Sequence, residues 1–141
     1  MPVRSASAQW RGNLKDGSGE LESATGAVKG AYSFSSRFEE GKGTNPEELI
    51  GAAHAGCFSM ALSNIIAQAG HSPKSVRTQA RVHLEKDEHG FSIHRIVLDT
   101  EGEVEGIDED EFRKYAEEAK IGCPVSRALK AVEIQVEARL L

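Results

Sequence analysis

The clearest hydrophobic patterning lies in the second half of the chain. Val76, Thr78, Ala80, Val82 and Leu84 alternate with Arg77, Gln79, Arg81, His83 and Glu85. A period of two with one polar face predicts a half-buried strand. DEHG at 87–90 is a hairpin turn, and residues 91–100 return from it with Ile93 and the run 96–98 as their apolar content. Val132, Ile134, Val136, Ala138 and Leu140 alternate cleanly and predict a final strand. Between these strands the period changes. An acidic cap at 108–111 precedes Phe112, Tyr115, Ala116, Ala119 and Lys120, which fit a helix that Gly122 breaks. Pro124 then opens a short new helix in PVSRALKA.

The first half is less regular. Residues 3–10 place Ala6, Ala8 and Trp10 on one side of a predicted strand, and Asp-Gly and Ser-Gly within 15–19 mark a turn. Residues 20–28 and 29–35 continue as a weakly alternating antiparallel meander. EEGKGTN at 39–45 is a loop. A helix start follows: Asn45 suits the N-cap, Pro46 the first turn, and Glu48 the reciprocal capping position. The helix is expected to run to Ala69 and to end at Gly70. Ala52, Ala53, Ala55, Gly56, Ala61 and Ala67 go nearly all the way round it. Such a helix is expected to be buried on most sides. So small a chain covers a long helix poorly by itself, so a second subunit is expected to supply part of the cover. The predicted order is βββ–α–ββ–α–α–β.

With 141 residues the chain is long enough for one domain with a real core. A net charge of -5 leaves no broad basic footprint and argues against nucleic acid or an anionic membrane surface as partner. MPVRSASAQW has no apolar core of a signal peptide. The weakly polar run 49–69 is broken by His54, Ser59, Ser63, Asn64 and Gln68, so it reads as a core helix and not a membrane span. A cytoplasmic protein is expected.

Cys57 and Cys123 are the whole thiol inventory. In a reducing compartment a permanent disulfide is not expected, so they are either unrelated core residues or a pair that cycles. No zinc-type spacing is present. Cys123, just before Pro124, falls near a helix N-terminus, where amide dipoles stabilise a thiolate. Cys57 lies more than two turns into its own helix and gains little from that dipole. A reactive Cys57 therefore needs a cation from elsewhere. Arg37, before the glycine loop, is a candidate, and Glu47 could orient it through a forked ion pair. Glu47 precedes Cys57 by ten residues, about 15 Å along a continuous helix. Either the helix breaks, or the arginine spans part of the gap, or a symmetry mate contributes. His54 is one turn before Cys57, which leaves a Cys–His couple open. Phe58 and Met60 are expected to wall an apolar pocket.

TNPEELIGAAHAGCFSMAL at 44–62, AKIGCPVSRAL at 119–129 and the W-x-G at 10–12 resemble the OsmC/Ohr family, in its osmotically inducible OsmC branch. The resemblance spans essentially the whole chain, 1–141. It implies an α+β fold of antiparallel sheets around a long buried central helix, in an intertwined homodimer with sites built from both subunits. It implies a thiol peroxidase that reduces organic hydroperoxides without metal or organic cofactor. By the same resemblance Cys57 attacks the peroxide, Cys123 resolves it, and Arg37 and Glu47 assist, with Arg11 as an alternative arginine. An external dithiol, of the lipoyl-protein kind, would restore the thiols. A dimeric thiol sensor or ligand-binding stress protein without turnover remains the alternative, and a Cys–His hydrolase a weaker one.

Overall fold

The computed structural model describes all residues, 1–141. The chain divides into two compact units, residues 1–49 and 50–141. The first holds an antiparallel sheet of β1 (Ala6–Arg11), β2 (Ser18–Ser23) and β3 (Lys29–Tyr32) in that spatial order. Trp10 and Tyr32 meet across β2 with ring centroids 5.4 Å apart. A short helix, α1 (Phe34–Phe38), follows. It was not expected from the sequence, because five residues are too few to show a period. Its signal is local: Ser33 and Ser36 form a reciprocal capping box, each side chain accepting from the other's backbone N–H.

Helix α2 (Pro46–Gln68) starts where Asn45 and Pro46 predict, and Gly70 follows its end at a φ of +93°. The capping box is only half made. Asn45 Oδ1 accepts from the Glu48 amide at 2.8 Å, but the Glu48 carboxylate turns to the Thr44 hydroxyl at 2.8 Å. Burial of α2 is also less complete than expected. Gly51, His54, Phe58, Leu62 and Ile66 recur at helical spacing and are buried. Ala52, Ala53, Gly56, Met60 and Ala67 are exposed. A single core accommodates one face of a helix, and this chain builds one core. By length and composition α2 would suffice to cross a membrane, yet Phe58, Leu62 and Ile66 are wholly enclosed by protein.

The second unit is a three-stranded sheet of β4 (Pro73–Asp87), β5 (Gly90–Val104) and β6 (Glu133–Leu140), with α3 (Glu109–Gly122) and α4 (Pro124–Ala128) between β5 and β6. β4 and β5 form the expected hairpin, closing at Asp87 and Gly90. β6 pairs with β5 in parallel, so this sheet is mixed and not antiparallel throughout. The reason is the connection: parallel neighbours need a crossover, and α3 with α4 supplies it. Ile96, Leu98, Val104, Phe112, Ala116, Ala119 and Cys123 close the core against Phe58, Leu62 and Ile66. On the polar side, Arg81 pairs with Asp99 and Glu137, and Arg139 with Glu101, across the three strands.

Gly102 of β5 lets this core close. A Cβ there would stand 2.4 Å from the Phe112 ring. Gly102→Ala is therefore expected to cost about 1–3 kcal/mol by overpacking, read as a lower urea midpoint with an unchanged slope.

Candidate active site

The chain presents two constellations, each within one unit. In the first, α1 and the loop after it position an ion pair. The Ser36 hydroxyl donates to the Thr44 carbonyl at 2.7 Å, and Asn45 Nδ2 donates to the Ser36 carbonyl at 3.1 Å. The Thr44 amide bonds the Ala31 carbonyl at 2.9 Å, which ties the loop to β3. Gly43 permits this path: its φ is +116°, and a Cβ would lie 2.6 Å from the Ala31 oxygen. The loop thus returns Arg37 to the first turn of α2. Arg37 Nη2 donates to Glu47 Oε1 at 2.7 Å, and its Nε reaches both carboxylate oxygens at 3.1 and 3.3 Å. Glu47 is 8% exposed, so the carboxylate is spent on this arginine and not on water. Arg37 keeps an exposed side. Beside it a cleft of about 410 Å³ is lined by Trp10, Leu14, Tyr32, Phe34 and Phe38. Arg11 instead bonds Gln9 at 2.8 Å and lies on the exposed face of β1.

The second constellation joins α2 to α4. Cys57, half-buried, and Cys123, fully buried, are both free thiols with sulfurs 3.1 Å apart. Cys123 is the residue at which α3 ends and α4 begins, but its side chain caps neither helix. Cys57 gains the amide that its own helix cannot supply. The backbone N–H of Val125, in the first turn of α4, favours its thiolate. Burial outweighs that contact and pushes the Cys57 thiol above its ordinary range, and the Cys123 sulfur adds in the same direction. No cation figures among the groups acting on it.

His54 is fully buried one turn before Cys57, but its bond goes elsewhere. Its Nε2 lies 2.7 Å from Ser126 Oγ, and its Nδ1 has no partner. It therefore does not form the Cys–His couple that a hydrolase would need. Ser126 was missed in the sequence, where a serine in a short amphipathic segment carries no signal. Phe58 does not wall an open pocket, because it is enclosed in the core, while Met60 is 76% exposed. The aromatic residues near Arg37 line a cleft. No three His, Cys, Asp or Glu side chains come together as a metal-binding group.

This combination of a dithiol at contact distance and a forked arginine–carboxylate pair, in an α+β chain with a long central helix, defines a class. The family model described as OsmC-like protein matches residues 39–137, and the chain belongs to this family. It is 49% identical over 134 residues to peroxiredoxin OsmC of Escherichia coli K12, covering 94% of this chain and 93% of that one. It is 30% identical over 100 residues to organic hydroperoxide resistance protein-like 2 of Staphylococcus epidermidis, covering 69% and 68%. Among solved structures, the organic hydroperoxide resistance protein OhrB of Bacillus subtilis gives a TM-score of 0.76 at 25% identity, over 96% of this chain and 98% of that one. An OsmC-like protein of unknown function from Vibrio cholerae gives 0.77 at 21% identity, over 99% and 100%, a likeness of fold.

Burial lowers the His54 pKa below its ordinary 6.5. The unfolded chain then binds this proton more readily than the folded one, so its contribution to stability falls as pH drops through and below 6.5. Urea unfolding from pH 7.5 to 5.5 is expected to show that decline, and His54→Gln to flatten it.

Proposed function

We propose that the chain is a thiol-dependent peroxidase that reduces organic hydroperoxides to alcohols. The observation that carries this reading is the 3.1 Å contact between the Cys57 and Cys123 sulfurs. Two free thiols so placed pass to a disulfide with little motion. The family and its relative named peroxiredoxin OsmC supply the reaction class. In the proposed reaction the Cys57 thiolate attacks one peroxide oxygen and the O–O bond breaks. The other oxygen leaves on the organic group and takes up a proton as the alcohol. Cys57 becomes a sulfenic acid. Cys123 displaces its oxygen as water and forms the disulfide, and an external dithiol, for which a lipoyl protein is our candidate, reduces it by exchange.

Attack needs a cation to favour the thiolate and to neutralise charge on the leaving oxygen. Arg37, held by Glu47 beside an aromatic cleft suited to an organic group, has the right chemistry. We assign it to the Cys57 of a second copy, in a homodimer where 1–141 acts as one domain. Three features support this assignment. Helix α2 is unbroken between Glu47 and Cys57. Residues 1–49 bury no apolar side chain of their own. One face of α2, with Met60, is open. Cycling thiols suit a reducing compartment, so the cytoplasm is the proposed location.

Stopped-flow consumption of an organic hydroperoxide is expected to vanish in C57A and C57S. C123A should complete one turnover and then accumulate sulfinic acid at Cys57. Full turnover in C57S would overturn the assignment. Arg37→Ala is expected to lose roughly 10²–10³-fold in rate and to move the ascending limb of the pH profile, which follows thiolate formation at Cys57, to higher pH, since burial then acts on Cys57 unopposed by a cation.

Mixing tests the dimer. C57S and R37A proteins, each inactive, should on subunit exchange recover about a quarter of wild-type sites if Arg37 acts across the two-fold axis. No recovery despite exchanged dimers would place the arginine within its own chain.

A further inference from the structure

Helix α4 is the thinnest support in the second unit. It has five residues, too few to persist without tertiary contacts. Its outward residues Pro124, Arg127 and Ala128 are exposed, and Cys123 and Ser126 are its buried ones. Those two are three positions apart and so share a face. Opposite them on α2, Cys57 and His54 are also three apart. The two helices therefore meet in two rungs, sulfur to sulfur at 3.1 Å and His54 Nε2 to Ser126 Oγ at 2.7 Å.

Only the second rung is strongly directional. Apolar packing of Val125 and Leu129 holds α4 near the core but tolerates rotation about its axis. A hydrogen bond between two fully enclosed groups does not, because leaving either unpaired in the interior is costly. His54 has no other bond: its Nδ1 is already unpartnered, so Ser126 is its sole polar anchor.

We propose that His54 and Ser126 are positioning residues for the resolving step: their bond fixes the rotation of α4 and so keeps the Cys123 sulfur on that of Cys57. The proposal rests on the peroxidase reading for its chemistry, but the juxtaposition can be read without it. In the resolving step the Cys123 sulfur displaces the sulfenic hydroxyl of Cys57, which leaves as water with the Cys123 thiol proton; where Cys123 attacks as its thiolate, a solvent acid supplies that one proton instead. With both groups neutral, one sulfenic acid and one thiol give one disulfide and one water.

The test uses the full chain as wild type, Ser126→Ala and His54→Gln, with thermal midpoints recorded to show that each is folded. Equilibration in a glutathione redox buffer measures how readily Cys57 and Cys123 close, whether or not the protein reduces peroxide. Ser126→Ala is expected to lower that closure constant at least ~10-fold, by analogy with the rate penalty of small misplacements. His54→Gln, which retains a side-chain N–H toward Ser126, should recover part of it. In the peroxide reaction Ser126→Ala should keep the rate of Cys57 oxidation within about twofold while slowing disulfide formation at least ~10-fold. More sulfenic acid should then be trapped by dimedone. A wild-type closure constant in folded Ser126→Ala would overturn the proposal. So would an equal slowing of both steps, the mark of a general structural role. Failure of wild type to consume peroxide, with the closure constants still separated, would overturn the peroxidase reading alone.

Discussion

A continuous helix advances by a fixed step, and its first turn cannot approach its middle. Helix α2 carries Glu47 at one end of such a run and Cys57 ten residues on, roughly 15 Å along the axis. Both chemical groupings of this chain are organised by that rod. One is gathered at its start, where a stapled loop returns Arg37 to Glu47. The other is gathered at its centre, where α4 brings Cys123 to Cys57. The first holds a cation and no thiol; the second holds two thiols, and burial disfavours Cys57 as a thiolate.

The contact between α2 and α4 also changes how Cys57 is to be understood. A cysteine in mid-helix has its own backbone amides committed to the ladder. Its electrostatic surroundings must come from other elements. Here the Val125 amide, free because it lies in the first turn of α4, supplies part of that need. A second polar tie lies one turn away, between His54 and Ser126. An interior built on Phe58, Leu62, Ile66 and Phe112 thus admits polar groups along this seam, as it does at Thr100, which bonds Thr78 on the sheet side.

Sequence patterning reached the second unit almost in full, because β4, the hairpin and β6 alternate over many residues and α3 has an explicit acidic cap. It missed the parallel pairing of β6, since alternation reports faces and not strand direction. In the first unit, α1 escaped because a capping box of two serines outweighs periodicity only on that short scale. Cys57, Cys123, Arg37 and Glu47 are singled out mainly by motif resemblance, and the fold brings them together as two pairs, whereas local chemistry alone leaves both thiols ambiguous. Ser126 had no sequence signal, and neither had the cleft among Trp10, Tyr32 and Phe38. Aromatic residues on separate strands and a short helix reveal a shared cleft only once those elements are folded together.

The parallel pairing of β6 with β5 has a bearing on how the chain matures. Its partners are Arg95 with Glu133 through Gly102 with Leu140, contacts distant in sequence whose formation must first overcome loop-closure entropy. Helices α3 and α4 lie in the loop that this pairing closes. During synthesis the segment holding Cys57 emerges well before the last strand can dock. Until then the chain is a polypeptide with two unrelated thiols, and the proximity of their sulfurs is a product of finished folding. An oxidant acting on the nascent chain would meet Cys57 without its neighbour.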